Sequence, residues 1–210
     1  MFDARLNQCL KGPLSRVAVV LVKRGWSADQ MTWLGAFFGL LAISCVSVDA
    51  TGLGLGLFLL NRLCDGLDGA IARQRESSDA GAFLDIVLDF LVYAGMVLGF
   101  ALRDPADSLA AAVLLFSFIG TASSFLAFAI FAKTRGMTNL RMQQKSMYYL
   151  EGLTEGFETT LVFSVMCLRP ELFGWLAYGF ASLCLLTTIG RILEGRRRLV
   201  GNHPVDPDTL

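Results

Sequence analysis

The stretch that decides the fold of this 210-residue chain runs from residue 61 to residue 89. It reads NRLCDGLDGAIAR over residues 61–73, then a polar turn, then GAFLDIVLD over residues 81–89. Four aspartates lie in these mostly apolar segments: Asp65, Asp68, Asp85 and Asp89. Carboxylates at membrane depth are costly, and they persist where they face a polar cavity or a partner. The four aspartates therefore need one common explanation.

Helix geometry supplies that explanation. Asp65 and Asp68 are three residues apart and Asp85 and Asp89 are four apart, so each pair lies on one helical face. The turn between the segments is short, which makes the two helices antiparallel neighbours. An equal rise per residue from the turn then brings all four carboxylates to nearly one level. Such a cluster repels itself unless cations or protons intervene, and Mg²⁺ or Mn²⁺ are the hard cations that oxygen ligands suit.

A polar network that only packs the helices is the structural alternative. Arg62 and Arg73 are the basic side chains within these two segments, and together they neutralise at most two of the four carboxylates. A cation site is therefore favoured over a packing network.

Composition points to lipid as the solvent of this chain. Hydrophobic residues make up 54% and charged residues 17%, whereas soluble domains carry about a quarter charged residues. Eighteen basic and eighteen acidic residues cancel, so no nucleic-acid partner is expected. A membrane-spanning helix needs about 20 mostly apolar residues. We predict an all-α polytopic membrane protein with six spans: 30–48, 53–73, 81–102, 108–132, 150–168 and 172–193.

The distribution of Lys and Arg predicts the orientation. One side of the membrane carries all the basic loop residues except Arg103 and Arg169, which lie on the other side. Cytoplasmic loops are enriched in Lys and Arg, so both termini and the four aspartates are expected on the cytoplasmic side of the membrane.

The ends of the chain flank one membrane domain. We predict a single domain over residues 1–200, with the six-helix bundle at 30–193 and a polar tail at 201–210. Residues 1–28 are too charged to cross a bilayer and are interpreted as an interfacial helix against the membrane lipids. An ordinary linker is the alternative, because Gly12-Pro13 would interrupt a helix.

The aspartate segments resemble the signature of the CDP-alcohol phosphotransferase family. That signature is Asp, two residues, Asp-Gly, two residues, Ala-Arg, a spacer, Gly, three residues, Asp, three residues, Asp. The matching positions here are Asp65, Asp68-Gly69, Ala72-Arg73, Gly81, Asp85 and Asp89. The spacer from Arg73 to Gly81 holds one residue fewer than the usual pattern. The resemblance covers essentially the whole chain, including residues 27–32, and is strongest to a bacterial inner-membrane branch.

The resemblance implies a chemistry. Family members transfer a substituted phosphate from a CDP-linked donor, here CDP-diacylglycerol, to an alcohol and release CMP, in phospholipid biosynthesis. By this similarity the four aspartates hold two divalent cations, Mg²⁺ or Mn²⁺, and Asp89 is the general base. The implied nucleotide-binding residues are Asp65, Asp68, Gly69, Ala72, Arg73, Gly81 and Thr32. Relatives often dimerise, so the resemblance also implies that a homodimer can form.

A second acidic stripe predicts where the acceptor alcohol binds. Glu151, Glu155 and Glu158 share one helical face at the start of the fifth span. We expect Glu155 and Glu158 to line an acceptor pocket, with Lys145 at its mouth. Two carboxylates there would favour a small polar alcohol that is neutral or amine-bearing over a doubly anionic one. The alternative is that these glutamates pair with nearby basic residues and are structural.

Two rival functions remain at this stage. An ion-coupled transporter would use the aspartates as a cation site, and it usually shows an internal repeat, which is not evident here. A non-catalytic scaffold would keep the motif without needing it.

Glycine pairs four residues apart favour close helix packing within the bundle. These are Gly35/Gly39, Gly52/Gly56 and Gly95/Gly99.

Overall fold

The computed structural model of the chain describes residues 2–75, 78–135 and 156–200. These residues form α-helices joined by short turns, and no strand occurs among them. The helices are α1 (Phe2–Lys23), α2 (Ala28–Ser47), α3 (Thr51–Ala72), α4 (Asp79–Arg103), α5 (Ser108–Thr134), α6 (Gly156–Leu168) and α7 (Phe173–Val200). Single 3₁₀ turns, Pro105–Asp107 and Pro170–Leu172, lead into α5 and α7. The all-α prediction is confirmed.

Four of the helical segments are long and apolar enough to cross a membrane: Ala28–Ser47, Asp79–Arg103, Pro105–Thr134 and Pro170–Val200. Helix α3 is 22 residues long but carries Arg62, Asp65 and Asp68. Helix α6 has 13 residues in the described part of the chain. Large apolar side chains such as Trp175, which is 83% exposed, cover the outside of the bundle. That surface suits lipid rather than water.

Helix α1 is continuous through Gly12 and Pro13, which argues against the linker alternative for the N-terminal segment. Its buried face packs on α2 and α3, where Ala18 shares a small core with Leu67 and Ile71. A Cβ on Gly66 would lie 3.2 Å from Leu14 Cδ1, so α1 rests directly on the part of α3 that carries the aspartates.

Helix α2 packs against both α3 and α4, and α5 packs against α7. The main core fills the centre of the bundle with aromatic side chains. Phe100 stacks on Phe173 with 4.6 Å between ring centroids, and Phe58 meets Phe163 edge-on at 5.6 Å. These contacts tie α3 to α6 and α4 to α7, and they hold the aspartate-bearing helices in a fixed frame.

Glycines set how closely α2 approaches its neighbours. A Cβ on Gly35 would lie 3.0 Å from Cys64 Cβ of α3, and one on Gly99 would lie 3.1 Å from the Ile43 carbonyl oxygen of α2. The pairs containing these two glycines therefore allow close contact between helices within the bundle, as their spacing predicts. Gly52 and Gly56 have no such neighbour within 4 Å among the described residues, so their spacing carries no close contact there.

Arg103 joins three turns at the end of the bundle opposite the aspartates. Its guanidinium lies 3.1 Å from Asp49 Oδ1 and 3.6 Å from Asp107 Oδ2, and its Nη2 donates to the Pro170 carbonyl at 3.0 Å. Asp49 adopts a left-handed backbone conformation with φ 64° in the turn where it contacts this arginine. The side chain of Arg103 is only 13% exposed, so these partners replace most of its water.

Replacing Arg103 should loosen this end of the fold. We expect Arg103→Gln to lower the free energy of unfolding by about 1–3 kcal/mol, because a largely buried guanidinium loses its contacts with two acidic side chains. Arg169→Gln is the matched control, since Arg169 and its partner Glu171 are both largely exposed. That control should change stability by less than about 0.5 kcal/mol. Thermal unfolding in detergent measures both variants, and equal melting temperatures would contradict the role of Arg103.

Candidate active site

The last two turns of α3 and the first turns of α4 form the site. Ser78 caps α4 by accepting a hydrogen bond from the Gly81 backbone N–H at 3.0 Å, which starts the helix six residues before Asp85. The antiparallel run of α3 and α4 brings four carboxylates around one small void of about 10 Å³: those of Asp65, Asp68, Asp85 and Asp89. The same void is bordered by α2 through Thr32, Gly35 and Ala36.

Three of the carboxylates are close enough to share one ion. Asp65, Asp68 and Asp85 each offer an oxygen, and these oxygens all lie within 4.8 Å of one another. Asp68 is buried, and the hydroxyl of Thr32 donates to its Oδ2 at 2.7 Å. The Thr32 hydroxyl also lies 3.0 Å from the Ala28 carbonyl oxygen, but it has one proton to give. The shorter contact to a carboxylate is the stronger of the two.

Asp89 borders the same void but is held differently. Its two oxygens accept hydrogen bonds from Arg62, at 2.6 Å from Nη2 and 3.2 Å from Nη1. Arg62 Nη1 also lies 3.6 Å from Asp65 Oδ2. The structure therefore brings all four predicted ligands together, and it separates them into a group of three and one arginine-bound carboxylate.

The residues present fit a divalent cation. The three clustered side chains are hard oxygen donors, which Mg²⁺ and Mn²⁺ prefer. The void of about 10 Å³ has room for roughly one small ion or water molecule. Arg62 supplies one positive charge against four carboxylates, so the cluster retains an excess of negative charge that a cation would relieve.

A larger pocket of about 370 Å³ opens beside the cluster and shares Asp68 and Asp85 with it. The predicted nucleotide-binding residues Thr32, Gly69, Ala72 and Gly81 line this pocket. Arg73 directly follows the last residue of α3 and is not among the lining residues. A Cβ on Gly69 would lie 3.3 Å from Arg73 Nη1, so Arg73 lies close to the pocket wall.

Several polar residues of this pocket were not predicted from the sequence: Ser27, Asp29, Arg75 and Ser78. Asp29 and Ser78 meet over Gly81, where a Cβ would lie 2.8 Å from Asp29 Oδ1 and 3.2 Å from Ser78 Oγ. Their positions depend on how α2 and α4 are rotated about their axes. The sequence signal for Ser78 was its place before α4, as an N-cap.

The predicted acceptor residues are only partly visible. Lys145 and Glu155 lie outside the described residues, and so does Glu151. Glu158 is half-buried in the first turn of α6. The next residue, Thr159, lines an apolar cavity of about 660 Å³ between α4, α5, α6 and α7. Tyr93 and Arg191 are polar members of that lining.

The fold and the site together define a helical membrane protein with a carboxylate cluster beside a glycine-lined pocket. A family model described as CDP-alcohol phosphatidyltransferase matches residues 26–188. The chain belongs to this family, and the prediction of a transferase of substituted phosphate groups is confirmed.

Two named relatives are similar to this chain. The chain is 47% identical over 196 residues to the inner membrane protein YnjF of Escherichia coli K12, covering 93% of this chain and 95% of that protein. It is 31% identical over 100 residues to the archaetidylinositol phosphate synthase of Pyrococcus horikoshii, covering 47% of this chain and 53% of that protein.

A solved structure shares the fold. The Mycobacterium tuberculosis phosphatidylinositol phosphate synthase PgsA1, crystallised with CDP-DAG bound, superposes with a TM-score of 0.68 at 19% identity. The match covers 87% of this chain and 92% of that one.

The three-carboxylate group should respond to divalent metal. We expect Mn²⁺ to raise the melting temperature of the wild-type protein. At a hundredfold excess of Mn²⁺ over its dissociation constant, the free energy of unfolding should rise by about 2.7 kcal/mol. Asp85→Asn should lose most of this gain. In metal-free buffer the same variant should be at least as stable as the wild type, because one of several mutually repelling carboxylates is removed.

Asp79→Asn is the matched control, since Asp79 is an exposed acid in the first turn of the same helix. It should keep the full response to Mn²⁺. A full response from Asp85→Asn would show that the metal binds elsewhere.

Proposed function

We propose that this enzyme transfers a phosphatidyl-type group from a CDP-linked lipid, CDP-diacylglycerol, to the hydroxyl of a small polar alcohol, with release of CMP. One observation carries the proposal: four carboxylates surround a void that adjoins a pocket lined by Gly69, Ala72 and Gly81. Carboxylates that collect cations beside a pocket open to a diphosphate are what phosphoryl-group transfer requires. The bound CDP-DAG in the structurally similar synthase supports the choice of donor.

We assign roles to the side chains as follows. Asp65, Asp68 and Asp85 hold divalent cation, with Asp89 as a fourth ligand, and two ions are expected, Mg²⁺ or Mn²⁺. When bound, the cations neutralise the diphosphate and stabilise the CMP that leaves. The smallness of Gly69 and Gly81 lets the donor approach the helix backbones, and Arg73 binds phosphate beside them.

Asp89 takes the proton from the attacking hydroxyl in this proposal. The alcohol oxygen forms the new bond to the donor's lipid-linked phosphorus, the bond from that phosphorus to the CMP oxygen breaks, and the proton goes to an Asp89 oxygen. The carboxylate side chain is 29% exposed, so a substrate hydroxyl can reach it. Thr32 orients Asp68 through its hydrogen bond and contributes to the nucleotide pocket.

The acceptor is proposed to enter near the start of α6. Glu155 and Glu158 would line its pocket and Lys145 would lie at the mouth, which favours a neutral or amine-bearing alcohol over a doubly anionic one. The names of two similar synthases refer to inositol phosphate lipids, so an inositol phosphate belongs among the acceptors to be tried.

In the membrane, we propose six spans formed by α2 to α7 in one domain over residues 1–200. Helix α1 would lie along the interface, with exposed Val17 and Val20 toward lipid and Arg16 among its cations. Both termini and the aspartates would face the cytoplasm, and the similarity to an E. coli inner membrane protein supports a bacterial inner membrane. A homodimer remains compatible with this arrangement.

The transfer itself is testable with purified protein. Incubation with radiolabelled CDP-diacylglycerol, Mn²⁺ and a panel of alcohols should release CMP with at least one acceptor and give a labelled lipid product. Asp89→Asn should lower the rate by about a hundredfold or more, because general-base catalysis is lost, whereas Asp79→Asn should keep it. Absence of CMP release with every acceptor, from protein that Mn²⁺ stabilises, would refute the transfer.

The glycine-lined pocket makes a second prediction. Gly81→Val should raise the KM for the CDP-linked donor by about tenfold or more, because the added side chain collides with Asp29 and Ser78. Gly179→Val is the control, since Gly179 of α7 has open space around it. An unchanged KM in folded Gly81→Val would place the donor elsewhere.

A further inference from the structure

Arg62 is a largely buried cation beside the carboxylate cluster. Its side chain is 11% exposed, and it lies in α3 one turn before Asp65. Every nitrogen of its guanidinium has a partner. Nε donates to Asn61 Oδ1 at 2.8 Å, Nη2 donates to Asp89 Oδ1 at 2.6 Å, and Nη1 donates to both Asp89 Oδ2 and the Tyr93 hydroxyl, the latter at 2.7 Å.

Aromatic rings fix the guanidinium in place. Its Cζ lies 4.7 Å from the centroid of the Tyr93 ring and 5.7 Å from that of Phe58. Phe163 of α6 stacks on Tyr93 and meets Phe58 edge-on, so the three rings pack together beside the guanidinium. Asn61, the neighbour that accepts from Nε, itself donates to the Gly35 carbonyl of α2 at 2.9 Å. The arginine is therefore held by α2, α3, α4 and α6 together.

This network lies on a boundary. Asp89 borders the void of the carboxylate cluster, whereas Phe90 and Tyr93 border the apolar cavity of about 660 Å³. Arg62 holds Asp89 by both oxygens at that boundary, which a lysine's single ammonium would do less rigidly. The two-point grip leaves each Asp89 oxygen with lone-pair capacity for one further partner.

The competition for Asp89 is electrostatic. A cation bound by Asp65, Asp68 and Asp85 would attract Asp89 as the proposed fourth ligand, and Arg62 weakens that coordination because it pairs with the same two oxygens. A carboxylate bound to a divalent ion is a weak base, and a monovalent guanidinium withdraws less charge. Arg62 also lies 3.6 Å from Asp65, so its positive charge repels any ion held there.

We propose that Arg62 is a positioning residue that holds Asp89 as the base at the edge of the cluster and weakens the cluster's affinity for divalent cations. This inference rests on the proposed function, because it assumes that the aspartates hold a cation and that Asp89 takes the proton. Arg62 lies outside the signature positions. Its pairing with Asp89 orients the base and at the same time lowers the affinity of the cluster for divalent cations.

The test measures Mn²⁺ affinity as well as transfer. Arg62→Gln should bind Mn²⁺ at least about tenfold more tightly than the wild type, because a positive charge beside the ion is removed and Asp89 is released toward it. Its acceptor-dependent CMP release should nevertheless fall by about tenfold or more, since the base is no longer oriented. A merely structural role would weaken metal binding or leave it unchanged.

Two further variants isolate the charge from the shape. Arg62→Lys keeps the charge, so its Mn²⁺ affinity should stay within about threefold of the wild type while transfer falls, because the two-point grip is lost. Arg103→Gln removes another buried arginine at the opposite end of the bundle. It should destabilise the fold and leave Mn²⁺ affinity unchanged.

If Arg62→Gln does not fold, the comparison moves to the Asp89→Asn background. There the double variant Arg62→Gln/Asp89→Asn should bind Mn²⁺ more tightly than Asp89→Asn alone. No Mn²⁺ binding by the wild type would refute the proposed metal site. Binding by the wild type that Arg62→Gln does not tighten, or in the fallback background that the double variant does not tighten, would overturn the role of Arg62 and leave the proposed transfer standing.

Discussion

Four like charges gathered between α3 and α4 impose the constraint on which the rest of this structure depends. Their mutual repulsion pushes α3 and α4 apart, and the desolvation of each carboxylate adds to that cost. The frame around them opposes the separation. Glycines bring α2 within contact distance of α3 and α4, α1 packs over Gly66 behind the aspartates, and Arg103 joins the turns at the far end. These contacts hold the helices around the cluster together against the repulsion.

The sequence predicted the helices well and their surroundings less well. The segment predicted as the second span, 53–73, is a helix over Thr51–Ala72, and the segment predicted as the third span, 81–102, is a helix over Asp79–Arg103. Apolar runs bounded by polar turns determine such bounds. The convergence of the aspartates followed from residue spacing alone, because helical rise and an antiparallel turn leave little freedom. The continuity of α1 through Pro13 was not decided by sequence, since tertiary packing on α3 stabilises a helix that local propensity disfavours.

Side-chain partners were harder to predict than backbone positions, and Arg62 shows why. Its sequence position says only that it lies one turn before Asp65, which it could have neutralised from there. The observed partner at shortest distance is Asp89, across the helix pair, and that choice depends on the rotation of α4 and on the Tyr93 ring that supports the guanidinium. Arg75 is a second example, because it lines the glycine-lined pocket although Arg73 is the residue in the family pattern. Glycine spacing was similarly incomplete, because Gly52 and Gly56 share the pattern of Gly35 and Gly39 but meet open space.

A charged compartment and an apolar compartment lie next to each other in this structure. The carboxylate cluster and the glycine-lined pocket carry the polar chemistry, whereas the large cavity between α4, α5, α6 and α7 is lined mainly by apolar side chains among the described residues. A buried charge adjoining an apolar space would be unstable unless paired. Arg62 and Tyr93 meet this requirement, because the arginine pairs with both oxygens of Asp89 and also donates to the Tyr93 hydroxyl at the edge of the cavity. The boundary between the charged and apolar compartments is thus a single hydrogen-bonded layer, and the residue that accepts the substrate proton in the proposed reaction lies within it.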